Sequence, residues 1–137
     1  MAPHLVRGPQ PNLTDLEMLR ERGLGGVVNL RDESEQSRAY CLELGLEYHY
    51  IPVPDWTAPR IEQVEEFLRL MAETPRTPLL VHCLGGIGRT GVMVSCWRIQ
   101  RGIPARQAVD LSHREVPWMS MNHEQLRFLL EWERRTQ

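Results

Sequence analysis

Lysine is absent from the sequence, so all 16 basic residues among its 137 are arginine, set against 18 acidic residues. The formal net charge of −2 gives no electrostatic reason to expect binding to nucleic acid or to an anionic membrane surface. Long hydrophobic runs are missing as well, and none approaches the roughly 18 residues of a membrane span. The N-terminal stretch lacks the apolar segment of a secretory signal, so we expect a cytoplasmic protein without a membrane anchor.

Cysteine is scarce and unpaired in its spacing. The three cysteines, Cys41, Cys83 and Cys96, form no C-x-x-C pair and leave an odd number. This pattern is typical of a reduced protein rather than of a disulfide scaffold. Neither repeats nor low-complexity linkers interrupt the chain, and its length suits one domain with a buried core. We therefore predict a single domain over residues 1–137.

What the sequence does contain is a regular alternation of strand and helix patterns. Short buried strands are predicted for GVVNL, EYHYIPV and PLLVHC. Helices are predicted for LTDLEMLRERG, SEQSRAYCLELG, RIEQVEEFLRLMAE, RTGVMVSCWRIQRG and two further segments at about 104–115 and 123–135. This alternation favours an α/β fold with a central, mostly parallel sheet of about four to five strands and helices on both faces.

In such sheets ligands bind beyond the carboxyl ends of the strands. Three of the predicted strands end close to Asp32, Asp55 and Cys83. We therefore expect the chemistry of the protein where these three residues meet.

The stretch VHCLGGIGRTG places four glycines around one cysteine and one arginine, directly after the apolar run PLLV. A buried strand delivers Cys83 to a glycine-rich loop, and the loop leads into the N-terminus of a buried helix. This arrangement points backbone N–H groups and a helix dipole at one spot, which makes an anion site. The site favours the thiolate form of Cys83, and Arg89 can hold two phosphate oxygens with its planar fork. The alternative for Cys83 is an inert core thiol, which leaves the glycines unexplained.

The residues around this cysteine have distinct expected roles. Thr90 is expected to donate a hydrogen bond to Cys83 that helps the sulfur leave, and His82 to order the loop through backbone hydrogen bonds. The alternative for His82 is a residue that only fills the strand end. For Cys96 a structural role is favoured, and Cys41 is expected to be either structural or exposed. The loop whose amides would hold the phosphate oxygens consists of Leu84, Gly85, Gly86, Ile87 and Gly88.

The stretch HCLGGIGRTG matches the HC-x-x-G-x-x-R-[ST] signature of cysteine-dependent protein tyrosine phosphatases. The wider chain resembles the small atypical dual-specificity and archaeal tyrosine phosphatases, from VVNLRDE through YIPVPDW to NHEQLRFL. The resemblance implies a hydrolase of phosphotyrosine that needs no metal or other cofactor and forms a phosphocysteine intermediate, with phosphoserine and phosphothreonine as further candidate substrates. It also implies a phosphoprotein or phosphopeptide substrate and inhibition by phosphate-like oxyanions.

A general acid is needed to protonate the leaving oxygen, and a positioned acid contributes about 10²–10⁴-fold to such a reaction. The sequence has only four aspartates, and Asp32 and Asp55 are the two that follow predicted strands. Phosphatases of this resemblance carry the acid in a Pro-Asp-aromatic loop upstream of the cysteine, and the match here is Pro54-Asp55-Trp56. The alternative for Asp55 is a turn or helix-start residue.

Two further candidates have two interpretations each. Trp56 either lines the pocket, where it can stack on an aryl phosphate, or packs into the core. In the resembling enzymes a glutamine at the place of Gln125 positions the water that hydrolyses the phosphocysteine. However, Asn122 and Gln125 also form a capping-box pattern that needs no catalysis.

Substrate preference is the least determined property. The chain departs from the family pattern at VPW, residues 116–118, and at NHEQ, residues 122–125, which are expected at the pocket rim. An inositol polyphosphate or another small phosphate ester is the main alternative substrate, although LGGIG offers no cation beyond Arg89. A catalytically silent phospho-residue binding module is the other alternative. Such a module is expected to have lost the cysteine, the arginine or the acid, and all three are present.

Overall fold

The computed structural model describes residues 5–73, 77–85 and 88–137. The elements along these residues are β1 (Leu5–Gly8), α1 (Leu13–Glu21), β2 (Gly26–Arg31), α2 (Gln36–Leu44), β3 (Glu47–Val53), α3 (Ile61–Glu73), β4 (Leu79–His82), α4 (Gly88–Gln100), α5 (Ala105–Glu115) and α6 (His123–Thr136). The strands form one sheet in the order β1-β4-β2-β3, and each neighbouring pair is parallel. The predicted α/β fold is confirmed.

Helices cover both faces of this sheet. On one face α1 and α2 pack around a core that includes Leu16, Val27 and Leu80. On the other face α3 to α6 enclose the larger core, which includes Phe67. Within it, every residue of α4 from Arg89 to Ile99 is buried. Its nearly all-round apolar sequence therefore corresponds to a central helix surrounded by protein.

Local signals in the sequence set several helix ends. Asn12 caps α1, because its side chain accepts a hydrogen bond from the Asp15 N–H at 2.7 Å while Asp15 accepts one from the Asn12 N–H. Gly45 ends α2 with a φ of 71°, which glycine adopts without steric cost. No pattern indicates β1, since its four residues are too few to show a strand periodicity. This strand borders β4 at one edge of the sheet.

His82 is a buried polar side chain that joins the end of β4 to α2. Its Nδ1–H donates to the Cys83 carbonyl oxygen at 3.0 Å, since a carbonyl oxygen can only accept. Nε2 therefore accepts from the Ser37 hydroxyl at 2.9 Å. Burial lowers the pKa of His82 to about 4, so the ring is neutral at pH 7 with both nitrogens hydrogen-bonded. The backbone bond to Cys83 agrees with the role expected for this histidine.

Gly26, at the start of β2, lies against the backbone of β3. A Cβ at this position would stand 2.9 Å from Glu47 Cβ and 3.0 Å from Glu47 O. Since β3 would have to shift, we expect Gly26→Ala to lower the free energy of unfolding by about 1–3 kcal/mol in urea denaturation. Gly8→Ala is the matched control, because a Cβ there meets only Leu80 Cδ1 at an ordinary 3.7 Å. Equal losses in the two variants would contradict the steric argument.

The low pKa of His82 also predicts a dependence of stability on pH. The unfolded chain binds a proton at this ring near pH 6.5, whereas the folded protein does so only near pH 4. The unfolded state therefore binds more protons in this window, and the free energy of unfolding falls as the pH drops through it. The loss amounts to about 3 kcal/mol, at about 1.4 kcal/mol per pH unit.

Urea denaturation at about pH 7 and about pH 4.5 measures this effect against His82→Gln, which has no titrating ring. The wild-type protein should lose more stability between the two conditions than the variant. Equal losses would show that His82 is not the buried neutral base inferred from its contacts.

Candidate active site

A cavity of about 220 Å³ opens at the carboxyl ends of the strands. Its described lining consists of Asp55, Trp56, Cys83, Leu84, Gly85, Gly88, Arg89, Ser120 and Gln125. All of these residues except Ser120 are site residues expected from the sequence. Gly86 and Ile87, also expected here, lie outside the described residues. A second cavity, of about 270 Å³, lies between β1 and α1. Neither Cys83 nor Arg89 lines it.

Cys83 is the thiol that this cavity reaches. It follows β4 directly and is nearly buried, and α4 begins five residues later at Gly88. Because Gly88 and Arg89 line the same cavity, the N-terminus of α4 faces it, and helix N-termini bind anions. The other two thiols are different: burial raises the pKa of Cys41 to about 11 and also raises the pKa of Cys96. Both therefore remain protonated, which agrees with a structural role.

The side chain of Arg89 is 2% exposed, and its guanidinium is surrounded by oxygen acceptors. Nη1 donates to Glu33 Oε1 at 2.8 Å and to the Val53 carbonyl oxygen at 3.0 Å, and Nη2 donates to Glu33 Oε2 at 3.1 Å. Nε lies 3.5 Å from Asp55 Oδ1. Burial acts to lower the pKa of Arg89, but Glu33, Cys83 and Asp55 outweigh it and the pKa is raised. The hydrogen bonds from Arg89 in turn hold the pKa of Glu33 well below its usual range.

Asp55 and Trp56 lie on the loop between β3 and α3, called here the acid loop (residues 54–58). The Trp56 N–H donates to Asp55 Oδ1 at 3.0 Å. Trp56 has a φ of +66°, a left-handed conformation that costs a non-glycine residue about 1–3 kcal/mol. As a residue Trp56 is 62% exposed, and it lines the cavity. The interpretation of Trp56 as a core residue is therefore wrong.

Side chains from the N-terminus of α6 hold three successive backbone groups of the acid loop. Two amide side chains donate to carbonyl oxygens: Asn122 Nδ2 to that of Trp56 at 2.6 Å, and Gln125 Nε2 to that of Thr57 at 3.3 Å. The third bond runs the other way, from the Ala58 N–H to Glu124 Oε2 at 2.9 Å. Two segments separated by about 66 residues are thus joined beside the cavity.

Gln125 forms the predicted capping box, and its position also allows the catalytic role. Its N–H donates to Asn122 Oδ1 at 2.9 Å and its Oε1 accepts from the Asn122 N–H at 3.0 Å, so the predicted capping box is confirmed. It also lines the cavity, and its expected role in positioning water stays a prediction.

The hydrogen bond expected from the Thr90 hydroxyl to Cys83 is not found among the described residues. This hydroxyl is buried and has no hydrogen-bond partner in the structure of the described residues. The expected donation to Cys83 is not made here, because the hydroxyl and the sulfur do not meet in hydrogen-bond geometry. The catalytic role of Thr90 stays a prediction.

Glu33 is a site residue that was not predicted from the sequence, although a local signal for it was present. Glu33 stands two residues beyond the end of β2, in the charged stretch RDE that follows a predicted strand. Besides Arg89 it binds Arg31, whose Nε donates to Glu33 Oε2 at 2.9 Å. Arg31 also donates to Gln10 at 2.8 Å. Both of these partners of Arg31 lie in loops.

Arg7 is a second buried cation near Cys83. Its side chain is 4% exposed, and Nη1 lies 3.2 Å from Glu115. A Cβ on Gly91, in the first turn of α4, would stand 3.5 Å from Arg7 Nη2. Burial lowers the pKa of Arg7, while Glu115 and Cys83 act to raise it. No local pattern could have shown this residue, because its partner is 108 positions away in the chain.

Across residues 5–73, 77–85 and 88–137, no group of three or more His, Cys, Asp or Glu side chains is arranged to hold a metal ion. In the same residues, no helix combines the length and the apolar character needed to cross a membrane.

Comparison with known proteins gives several matches. The family model described as "DSP-PTPase phosphatase fused to NAD+ Kinase" matches residues 2–128. The probable NAD kinase 2, chloroplastic, of Oryza sativa subsp. japonica is 34% identical over 99 residues, which are 67% of this chain. Tyrosine-protein phosphatase cdcA of Emericella nidulans is 31% identical over 123 residues, or 87% of this chain. The matched regions span only 10% and 20% of these two relatives.

A solved structure matches over nearly the full length of both chains. The crystal structure of Tk-PTP in the active form is 32% identical, with a TM-score of 0.85, and the match covers 98% of this chain and 99% of that chain. The family model likewise spans most of the sequence, from residue 2 to residue 128. This chain therefore belongs to the DSP-PTPase family and is a small atypical dual-specificity-type cysteine phosphatase.

Proposed function

We propose that the protein hydrolyses phosphotyrosine in phosphoproteins or phosphopeptides, without a metal ion and through a phosphocysteine at Cys83. The observation that carries the proposal is the convergence of a thiol, a buried guanidinium and a carboxylate in one cavity: Cys83, Arg89 and Asp55. No other described cavity combines these groups.

The reaction has two steps. In the first, the Cys83 thiolate attacks phosphorus, the S–P bond forms as the P–O bond breaks, and Asp55 gives its proton to the leaving oxygen. In the second, water attacks the phosphorus of the phosphocysteine, Asp55 takes up the proton, and the S–P bond breaks to restore the thiolate. Gln125, at the cavity wall, is the residue that would position this water.

The hydrogen bonds of Arg89 leave a suitable pair of donors for phosphate. A guanidinium has five N–H groups, and three of them are directed at Glu33 and Val53. Nε–H and the second N–H of Nη2 lie outside these bonds, and they form the side-on fork that matches two phosphate oxygens. Together with the backbone N–H groups of the cysteine loop, this fork would stabilise the charge on the equatorial oxygens.

Charge around the cavity favours an aryl monophosphate over a polyphosphate. Three partly exposed carboxylates lie within 4 Å of the Arg89 guanidinium, those of Asp32, Glu33 and Asp55. Trp56 and Leu84 add exposed apolar surface to the cavity wall, on which an aromatic ring can pack. An inositol polyphosphate would bring further negative charges close to the carboxylates, so it remains the alternative substrate rather than the proposed one.

The test is phosphate release from a phosphotyrosine peptide in EDTA by the wild-type protein and by Cys83→Ser. We expect release that survives EDTA, is inhibited by vanadate, and disappears in the variant, which should still bind the peptide. Folded wild-type protein that releases no phosphate from the peptide, while hydrolysing inositol hexakisphosphate, would favour the alternative substrate. Peptide binding without release from either compound would favour the silent binding module.

The acid role of Asp55 predicts a large and specific loss. In Asp55→Asn, kcat/KM for the phosphotyrosine peptide should fall by about 10²–10⁴-fold, because the leaving oxygen departs without a proton. Asp32→Asn is the matched control: Asp32 is also close to Arg89, at 3.9 Å, but does not line the cavity. A loss in Asp32→Asn as large as that in Asp55→Asn would contradict the assignment.

A further inference from the structure

One amide side chain connects the N-terminus of α6 to the acid loop. Asn122 Oδ1 accepts the Gln125 N–H at 2.9 Å, which is the helix cap. The other end of the amide, Nδ2, donates to the Trp56 carbonyl oxygen at 2.6 Å. The capping pattern accounts for the first hydrogen bond and gives no reason for the second. A serine or an aspartate would cap the helix as well, but neither provides the amide donor.

The residue that Asn122 holds is the one directly after the acid. Trp56 is constrained on both sides, since its N–H donates to Asp55 Oδ1 at 3.0 Å and its carbonyl oxygen accepts from Asn122. Between these two bonds the backbone adopts the left-handed φ of +66°, which an unrestrained tryptophan would leave. The conformation of the acid loop at Trp56 therefore depends on contacts from outside the loop.

The carboxylate of Asp55 is oriented by the same contacts. Oδ1 accepts from the Trp56 N–H and lies 3.5 Å from the Nε of Arg89. The Trp56 N–H stabilises negative charge on Oδ1, so the acid proton belongs on Oδ2. If residue 56 relaxed, the hydrogen bond to Oδ1 would be lost and the carboxyl group could rotate away from the leaving oxygen.

We propose that Asn122 is a positioning residue for the general acid: it holds Trp56 in its left-handed conformation and thereby directs Oδ2 of Asp55 at the leaving oxygen. The inference rests on the proposed function, because it takes Asp55 as the acid. Asn122 acts through Asp55 and does not itself touch the substrate. Glu124 and Gln125 support the same loop at Ala58 and Thr57.

The test compares two aryl phosphates that differ in their need for an acid. Phenyl phosphate has a basic leaving group that must be protonated, whereas 2,4-dinitrophenyl phosphate has a leaving group that departs without help. For Asn122→Ser, kcat/KM should fall by about 10–100-fold with phenyl phosphate and by less than about threefold with the dinitrophenyl ester. The quantity kcat/KM is used because it reports on the first step, in which the acid acts.

Three further variants separate positioning from loss of the helix cap. Asn12→Ser alters the same kind of capping box at α1, away from the cavity, and should change neither rate. Asn122→Asp keeps the capping oxygen and lacks the amide donor, so its two rates should match those of Asn122→Ser. If Asn122→Ser does not fold, Asn122→Asp takes its place in the test. In an Asp55→Asn background, Asn122→Ser should cause no further loss, because the acid is already absent.

The possible outcomes separate this inference from the function on which it rests. Equal losses with the two esters, no loss with phenyl phosphate, or a full additional loss in the Asp55→Asn background would overturn the role of Asn122 while leaving the phosphatase chemistry in place. Folded wild-type protein that hydrolyses neither ester would instead overturn the proposed function, and the inference with it.

Discussion

A guanidinium carries its charge at every accessible pH, and removing it from water without a partner would cost several kcal/mol. In Arg89 this cost is offset by two hydrogen bonds to Glu33, one to the Val53 carbonyl oxygen and the proximity of Asp55. Glu33 follows β2, and Val53 and Asp55 stand at and after the end of β3. One side chain at the start of α4 thus ties together the ends of neighbouring strands, and the cavity lies where they meet.

The position of α4 explains why an anion would bind there. Since this helix is buried along its length, its first N–H groups have little access to bulk water except through the cavity that Gly88 and Arg89 line. Such groups need acceptors, and a phosphate group supplies several at once. The helix dipole, Arg89 and the buried side chain of Arg7 all favour an anion beside Cys83.

The acid loop shows how tertiary contacts maintain a strained conformation. Trp56 would not keep its left-handed backbone without the hydrogen bonds that engage its N–H and its carbonyl oxygen. The first turn of α6 supplies the contact to the carbonyl oxygen and also caps the helix through Asn122 and Gln125. The contacts that hold the acid loop are therefore made within the protein, by Asp55 inside the loop and by α6 outside it.

The sequence by itself determined the features that depend on residues close together in the chain. The periodicity of the helices and strands, the cap at Asn12, the helix stop at Gly45 and the loop from Cys83 to Arg89 are all local patterns. Because parallel strands bring their carboxyl ends to one edge, these patterns also placed Asp55 near the cysteine.

Only the tertiary structure decided which distant groups meet. The ion pair of Arg89 with Glu33 joins residues 56 positions apart, and the hydrogen bond from Asn122 to Trp56 spans 66. The strand order β1-β4-β2-β3 sets such distances, and no local periodicity encodes it, because side-chain patterns show which face is buried and not which neighbour covers it. The exposure of Trp56 was undetermined for the same reason, since a single indole in a loop has no period from which its direction can be inferred.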